Sequence, residues 1–312
     1  MRFTKIEALG NDFVLIDATE QLPHCDGLAR AICDRRRGVG ADGLLLLFRA
    51  EKPPRVEVWN ADGSEAETSG NGLRCSARWL ASRGGQGDSE GDRARDPARG
   101  ATREPTRAPA PDTLSLTLTL ATRAGLSTIR VSPAPDGAIR VPLGPPRFRL
   151  DEIPMRVPNL ASAPPNAVSP NAVSTPADRF VDGRLPGIPF PVTALSVGNP
   201  HAVLFVDGPI DAARWGPLIE SHAAFPERAN VEFVRVVAPD RLVVLMWERG
   251  AGPTASSGTG AAAALVAAAL TGRAARRARV EMEGGTLEVG WDDNGVWTEG
   301  SAREVFEGEW RA

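Results

Sequence analysis

Ser69 and Ser257 each stand immediately before a Gly-x-Gly, in Ser69-Gly70-Asn71-Gly72 and Ser257-Gly258-Thr259-Gly260. A serine at the start of a helix sits among free backbone N–H groups, where the helix dipole stabilises negative charge. Glycines beside it let a ligand approach the backbone closely. Such a pair allows proton exchange at one carbon from two faces, with the developing charge held on N–H groups. An ordinary role competes with this, because serine is among the most favoured helix N-caps. Repetition argues for more. Gly10-Asn11 recurs as Gly198-Asn199 and Trp59 as Trp247, at the same offset of 188 that separates the serines. The reading that follows is two similar halves facing each other across a cleft.

Other candidate groups cluster near these caps. Asn60 and Glu248 each follow a tryptophan and each precede a serine by nine residues. Arg249 adjoins Glu248, and a Glu–Arg pair at the end of a buried strand can grip an amino group and a carboxylate. Asn11, Asn199 and Asn230 sit in turns, where asparagine often serves the backbone; as a set they also suit a polar zwitterion. His201, one of three histidines, lies in the turn Gly198-Asn199-Pro200-His201 and reads as structural or as an acid–base group.

The elements that must position these groups follow from periodicity. Strands are expected over 3–8, 44–48 and 55–59, and again over 192–197, 202–206, 231–237 and 242–247. Each series ends in a helix opened by its serine, over 73–82 and 260–271, with further helices at 27–36 and 212–221. A strand over 113–122 restarts the first half. Residues 280–309 read as strands broken at the turn Asp292-Asp293-Asn294-Gly295. Residues 83–112, rich in Gly, Pro, Ala and Arg and nearly without large apolar side chains, read as a surface insertion. A second loose insertion is expected over 158–189. The organisation expected is an α/β (α+β) protein with one domain over 1–125, a second over 126–300, and a terminal strand in 301–312 returning to the first.

Composition narrows the function. Of 312 residues, 42% are hydrophobic and 24% charged, with a net charge of −3, so a nucleic-acid surface is not expected. No apolar run reaches the roughly 18 residues of a membrane span. The first residues read directly into a strand and lack a signal-peptide core, so the cytoplasm is the expected compartment. Cys25, Cys33 and Cys75 form no CxxC, which disfavours a disulfide framework and a zinc site. Neither Lys5 nor Lys52 lies in a setting suited to a Schiff base. Chemistry without cofactor or metal is the expectation.

The segments Gly10-Asn11-Asp12-Phe13, Asn60-Ala61-Asp62-Gly63-Ser64-Glu65-Ala66-Glu67, Gly70-Asn71-Gly72-Leu73-Arg74-Cys75, Gly198-Asn199-Pro200-His201, Glu227-Arg228-Ala229-Asn230-Val231 and Glu248-Arg249-Gly250-Ala251-Gly252 closely resemble the diaminopimelate epimerase family. The resemblance spans the chain apart from the two insertions. It implies two pseudo-symmetric domains, each a mixed β-sheet wrapped around a central helix, and a homodimer. It implies cofactor-independent interconversion of LL- and meso-diaminopimelate by a thiolate–thiol pair, in lysine and peptidoglycan-precursor biosynthesis. By the same resemblance Asn11, Asn60, Asn199, Asn230, Glu248 and Arg249 bind substrate. Gly70, Asn71, Gly258 and Thr259 hold its reacting carboxylate, and His201 and Glu248 support the acid–base pair.

Two departures stand out. Ser69 and Ser257 occupy the positions of the family's two cysteines, and Pro253 replaces a usual glutamate. A helix N-terminus can bring a thiol, of ordinary pKa about 8.5, to thiolate at neutral pH. An alcohol is a far weaker acid and needs an adjacent base. Cys75, well inside the helix after Ser69, offers no substitute. Two other readings remain: a same-fold isomerase using glutamate and histidine, and a homologue that binds diaminopimelate or a related amino acid without turnover.

Overall fold

The first half runs β1 (Arg2–Ala8), β2 (Asn11–Asp17), α1 (Cys25–Cys33), β3 (Gly43–Phe48), β4 (Arg55–Asn60), α2 (Gly70–Ser82), β5 (Leu116–Thr122), β6 (Gly125–Val131) and β7 (Ile139–Gly144). After the short β8 (Gly183–Arg184) come β9 (Pro191–Ser196), β10 (Pro200–Phe205), α3 (Ala212–Glu220), β11 (Asn230–Ala238), β12 (Arg241–Glu248), β13 (Gly252–Thr254), α4 (Gly258–Leu270), β14 (Arg277–Met282), β15 (Gly285–Asp292), β16 (Gly295–Gly300) and β17 (Arg303–Glu309). This computed structural model describes residues 1–19, 22–66, 69–84, 116–134, 136–157 and 178–311; most of the 83–112 insertion and the first part of 158–189 lie outside them.

The two halves pair their strands in the same order. In the first, β1–β2 is antiparallel, β2–β3 parallel, β3–β4 antiparallel, β4–β5 parallel, and β5–β6 and β6–β7 antiparallel. In the second, β9–β10, β10–β11, β11–β12, β12–β14, β14–β15 and β15–β16 repeat that alternation. The halves join where β7 pairs antiparallel with β16, and β17 returns to pair with β1.

Each sheet wraps one 13-residue helix, α2 or α4. Helix α4 is apolar on every face, the pattern of a helix with protein all round it, and Gly258 to Ala268 are all buried. Helix α2 is buried over Gly70 to Leu80 despite carrying arginines. Arg78 meets its burial by donating to the carbonyls of Ser132, Ala134 and Gly137. The outer faces of the central strands are covered as well, by α1 over Val14, Ile16, Leu44 and Leu46 and by the layer around Ile219 over Val231 and Phe233. Strands buried on both faces explain the unbroken run Leu44-Leu45-Leu46-Leu47.

Both central helices start earlier than their apolar patterns indicate, at Gly70 and Gly258, because the serine caps satisfy N–H groups of the first turn. Helix α1 is shifted toward Cys25 from the expected 27–36. His201 lies inside β10 rather than in a turn. The reading of 158–189 as loose fails at its end, where Phe180, Leu185 and Ile188 are core residues and β8 pairs with β9. The offset of 188 also slips. Phe13 pairs with Gly43 whereas His201 pairs with Asn230, so β3 and β11 correspond at 187. A bulge between Val236 and Ala238 absorbs the difference before β12.

Candidate active site at two facing helix caps

The two caps have the same local geometry. Ser69 and Ser257 are both in extended conformation, and each side chain accepts from the N–H three residues on, Gly72 at 3.0 Å and Gly260 at 3.2 Å. The helices meet end to end. A Cβ on Gly258 would lie 3.6 Å from the Gly70 Cα, so the first residues of α2 and α4 are already in contact across the pseudo-dyad. Two sets of first-turn N–H groups therefore converge on one place, an electropositive site suited to a carboxylate.

Asn71 ties the halves together here. Its side-chain nitrogen donates to Asn11 Oδ1 at 3.0 Å and lies 3.4 Å from Ser256 Oγ in the other half. Asn11 in turn donates to Asp42 at 2.9 Å. Behind it Asp12 is gripped by Lys5 at 2.5 Å and Arg35 at 2.7 Å. Burial raises the Asp12 carboxyl, and the hydrogen bonds from Arg35 and Lys5 outweigh it, leaving the pKa lowered to about 2.

The surroundings of Ser257 are charged. His201 is fully buried, with Nδ1 2.7 Å from Glu232 Oε1 and Nε2 2.8 Å from Asn199 Oδ1. Both ring nitrogens thus face oxygen acceptors, a carboxylate on one side and the Asn199 amide on the other, which fixes the orientation of the ring. Burial pushes the Glu232 carboxyl up, against the opposing pull of His201. Glu248 is also raised by burial, while a hydrogen bond with Ser257 lowers it and the nearby Glu232 raises it further. Ser257 Oγ also lies 3.3 Å from Thr259 Oγ1. Ser257 thus has what an alcohol needs for proton transfer: a neighbouring carboxylate of elevated basicity.

The remaining candidates divide. Asn230 is buried and committed to the backbone, donating to the Pro200 carbonyl at 3.1 Å and accepting from the Arg249 N–H at 3.0 Å. Arg249 is exposed and reaches the Glu227 carbonyl at 3.2 Å. Asn60 is exposed at the end of β4 and bonds Ser64. Cys75 is fully buried and its thiol is pushed up by burial, which leaves it no part at the caps.

The pattern matching residues 3–92 and 193–305 is that of the diaminopimelate epimerase family. A diaminopimelate epimerase of Desulforudis audaxviator is 42% identical, over 99% of both chains. Another, of Acaryochloris marina, is 37% identical over 99% of this chain and 98% of its own. The chain belongs to the diaminopimelate epimerase family. Among solved structures, a hydroxyproline epimerase of Agrobacterium vitis shares the fold with a TM-score of 0.61 at 14% identity, over 99% of this chain and 91% of its own.

Two acidic residues escaped the motif reading of this epimerase family member. Glu232 lies on β11, where Val231-Glu232-Phe233 alternates as if Glu232 faced water; the sheet is covered on both sides, so Glu232 points at the start of α4. Its Oε1 would lie 3.0 Å from a Cβ on Gly260. Glu220 ends α3 and holds the Glu248 loop, accepting from Trp247 Nε1 at 2.7 Å and the Gly250 N–H at 2.8 Å. A glutamate at the end of a predicted helix carries no signal of that role.

Proposed function

We propose that the two facing caps are the proton-handling positions of a diaminopimelate epimerase that interconverts LL- and meso-diaminopimelate. The observation that carries this is the meeting of two Ser-capped helix N-termini, one with the Glu248 carboxyl beside its serine. The reacting α-carbon lies between Ser69 and Ser257, with its carboxylate on the N–H groups of Gly70, Asn71, Gly258 and Thr259. On one face the C–H bond breaks and the proton passes to Ser257 as its hydroxyl proton moves to Glu248. The charge left behind spreads onto the carboxylate, where the two helix ends stabilise it. The carbanion then takes the Ser69 hydroxyl proton on the opposite face to form the new C–H bond, and water reprotonates Ser69 as Glu248 gives up its proton. His201, held by Glu232 and Asn199, maintains the charge balance beside Glu248. Asn11, Asn60, Asn199, Asn230 and Arg249 frame the substrate's polar ends.

The same reading places the chain in lysine and peptidoglycan-precursor biosynthesis, as a cytoplasmic homodimer needing no cofactor. Among the described residues, no helix is long and apolar enough to cross a membrane. One observation favours a second reading. Both hydroxyls already accept hydrogen bonds as caps, which suits a protein that binds diaminopimelate without turning it over. Exchange of the substrate α-hydrogen in deuterated water separates the two. Deuterium incorporation with inversion, lost in Ser257→Ala, supports the epimerase. Tight binding without incorporation supports the binder.

A further inference from the structure

Arg74 lies one turn into α2, and its side chain is fully buried between the halves. Nη1 donates to Thr298 Oγ1 on β16 at 2.9 Å, and Nη2 donates to Asn71 Oδ1. Nε has no partner. Among the described residues no carboxylate pairs with this guanidinium. That is unusual, because a buried cation without a counter-ion is strongly unfavourable. Burial lowers its pKa to about 10, which still leaves it charged at neutral pH.

The place of this charge gives it a purpose. Nη2 would lie 3.7 Å from a Cβ on Gly258, the first residue of the opposite helix, so the cation sits directly behind the point where both N-termini converge. Its bond to Asn71 Oδ1 also turns the Asn71 amide nitrogen toward Asn11 and Ser256, at the front of the same place. The position in α4 that corresponds to Arg74 is Ala262, so at this level of the two helices only α2 carries a cation. The arrangement lacks one thing, an anion.

We infer that Arg74 is the buried counter-charge of the site, completing its ion pair only when a carboxylate ligand docks on the N-termini of α2 and α4. It acts through the field and through Asn71, as a positioning residue, and stabilises the added negative charge that proton removal places on that carboxylate. This inference rests on the carboxylate site proposed above.

The test measures binding of meso-diaminopimelate and of its monoamides by titration calorimetry, using the whole protein and the variants Arg74→Met and Arg74→Lys. The amide keeps the shape of the carboxylate and loses its charge. The inference predicts that Arg74→Met weakens diaminopimelate by on the order of tenfold or more, leaves the amide at the docked position within about twofold, and that Arg74→Lys falls between. Equal weakening of acid and amide, or none of either, overturns it. If Arg74→Met does not fold, Arg74→Lys and Thr298→Val decide. Arg74→Lys keeping the acid-over-amide preference within about threefold, with Thr298→Val lowering it, supports the counter-charge; abolition of the preference in Arg74→Lys overturns it. Should the unaltered protein bind neither ligand, the proposed function fails first, and visibly so.

Discussion

The first turn of α4 is ringed by His201 on β10, Glu232 on β11 and Glu248 on β12; the matching positions around α2 hold Phe13 on β2, Leu45 on β3 and Asn60 on β4. The backbone frame is the same, down to the cap bond and helix length, while the side chains facing each cap are not. The space beside Gly72 is filled by the Leu45 methyl, where beside Gly260 stands the Glu232 carboxylate. Conversely, α2 carries Arg74 where α4 has Ala262. A duplicated frame therefore places two hydroxyls symmetrically, and differentiation then assigns the groups that move protons to one half and the buried cation to the other.

The largest effect should come from supplying what both halves lack. Restoring cysteine with Ser69→Cys together with Ser257→Cys should raise epimerisation by roughly a thousandfold or more, since a thiol needs far less help to ionise than an alcohol. Affinity for diaminopimelate should change little. Steady-state kinetics with calorimetric binding measures both, and no gain would mean that the site has been rebuilt around other groups.

Next in size is the asymmetry of the bases. Glu248→Gln should slow α-hydrogen exchange by about 10² to 10⁴, whereas Asn60→Ala at the matching position should change it much less. Because burial holds the Glu248 pKa above the ordinary carboxylate range, the exchange rate should climb with pH through that raised value and plateau above it. A profile in Glu248→Gln that keeps the same inflection assigns the base elsewhere.

Much of this comparison was legible in the residues themselves. The serines, glycines, asparagines and tryptophans of the repeat marked the caps because their local roles repeat with their spacing. Glu232 and Glu220 were not legible, since their importance depends on a sheet covered on both faces and on a helix end packed against a distant loop. The strands β6 and β7 were missed for a related reason. Their residues, such as Gly125 and Ser127, show weak patterning until β5 and β16 pair with them. The bulge at Val236 was hidden because offset counting compares landmarks and passes over the strand between them.

Smaller effects concern stability. Glu232 has a pKa raised by burial, so its contribution is fully present below the ordinary carboxylate pKa and is lost as pH rises through the raised value. Glu232→Gln should flatten the fall in thermal stability over that interval. Asp12 is the opposite case in the first half. Its pKa, lowered from 3.8 to about 2, gives stability that is present above 3.8 and lost as pH falls through about 2. Asp12→Asn should therefore cost about 2 kcal/mol at neutral pH, read from denaturant unfolding. An equal loss at pH 2 would show that packing, not charge, is what Asp12 supplies.

The central claim is that both caps handle protons but only Ser257 has a carboxylate beside it to act as its base. Deuterium incorporation into the α-position of LL- and meso-diaminopimelate, compared between the single variants Ser257→Cys and Ser69→Cys, tests it most directly. The account predicts faster incorporation with Ser257→Cys, whose thiol lies beside Glu248 and within the field of His201, than with Ser69→Cys. Equal rates, or a faster Ser69→Cys, would contradict it.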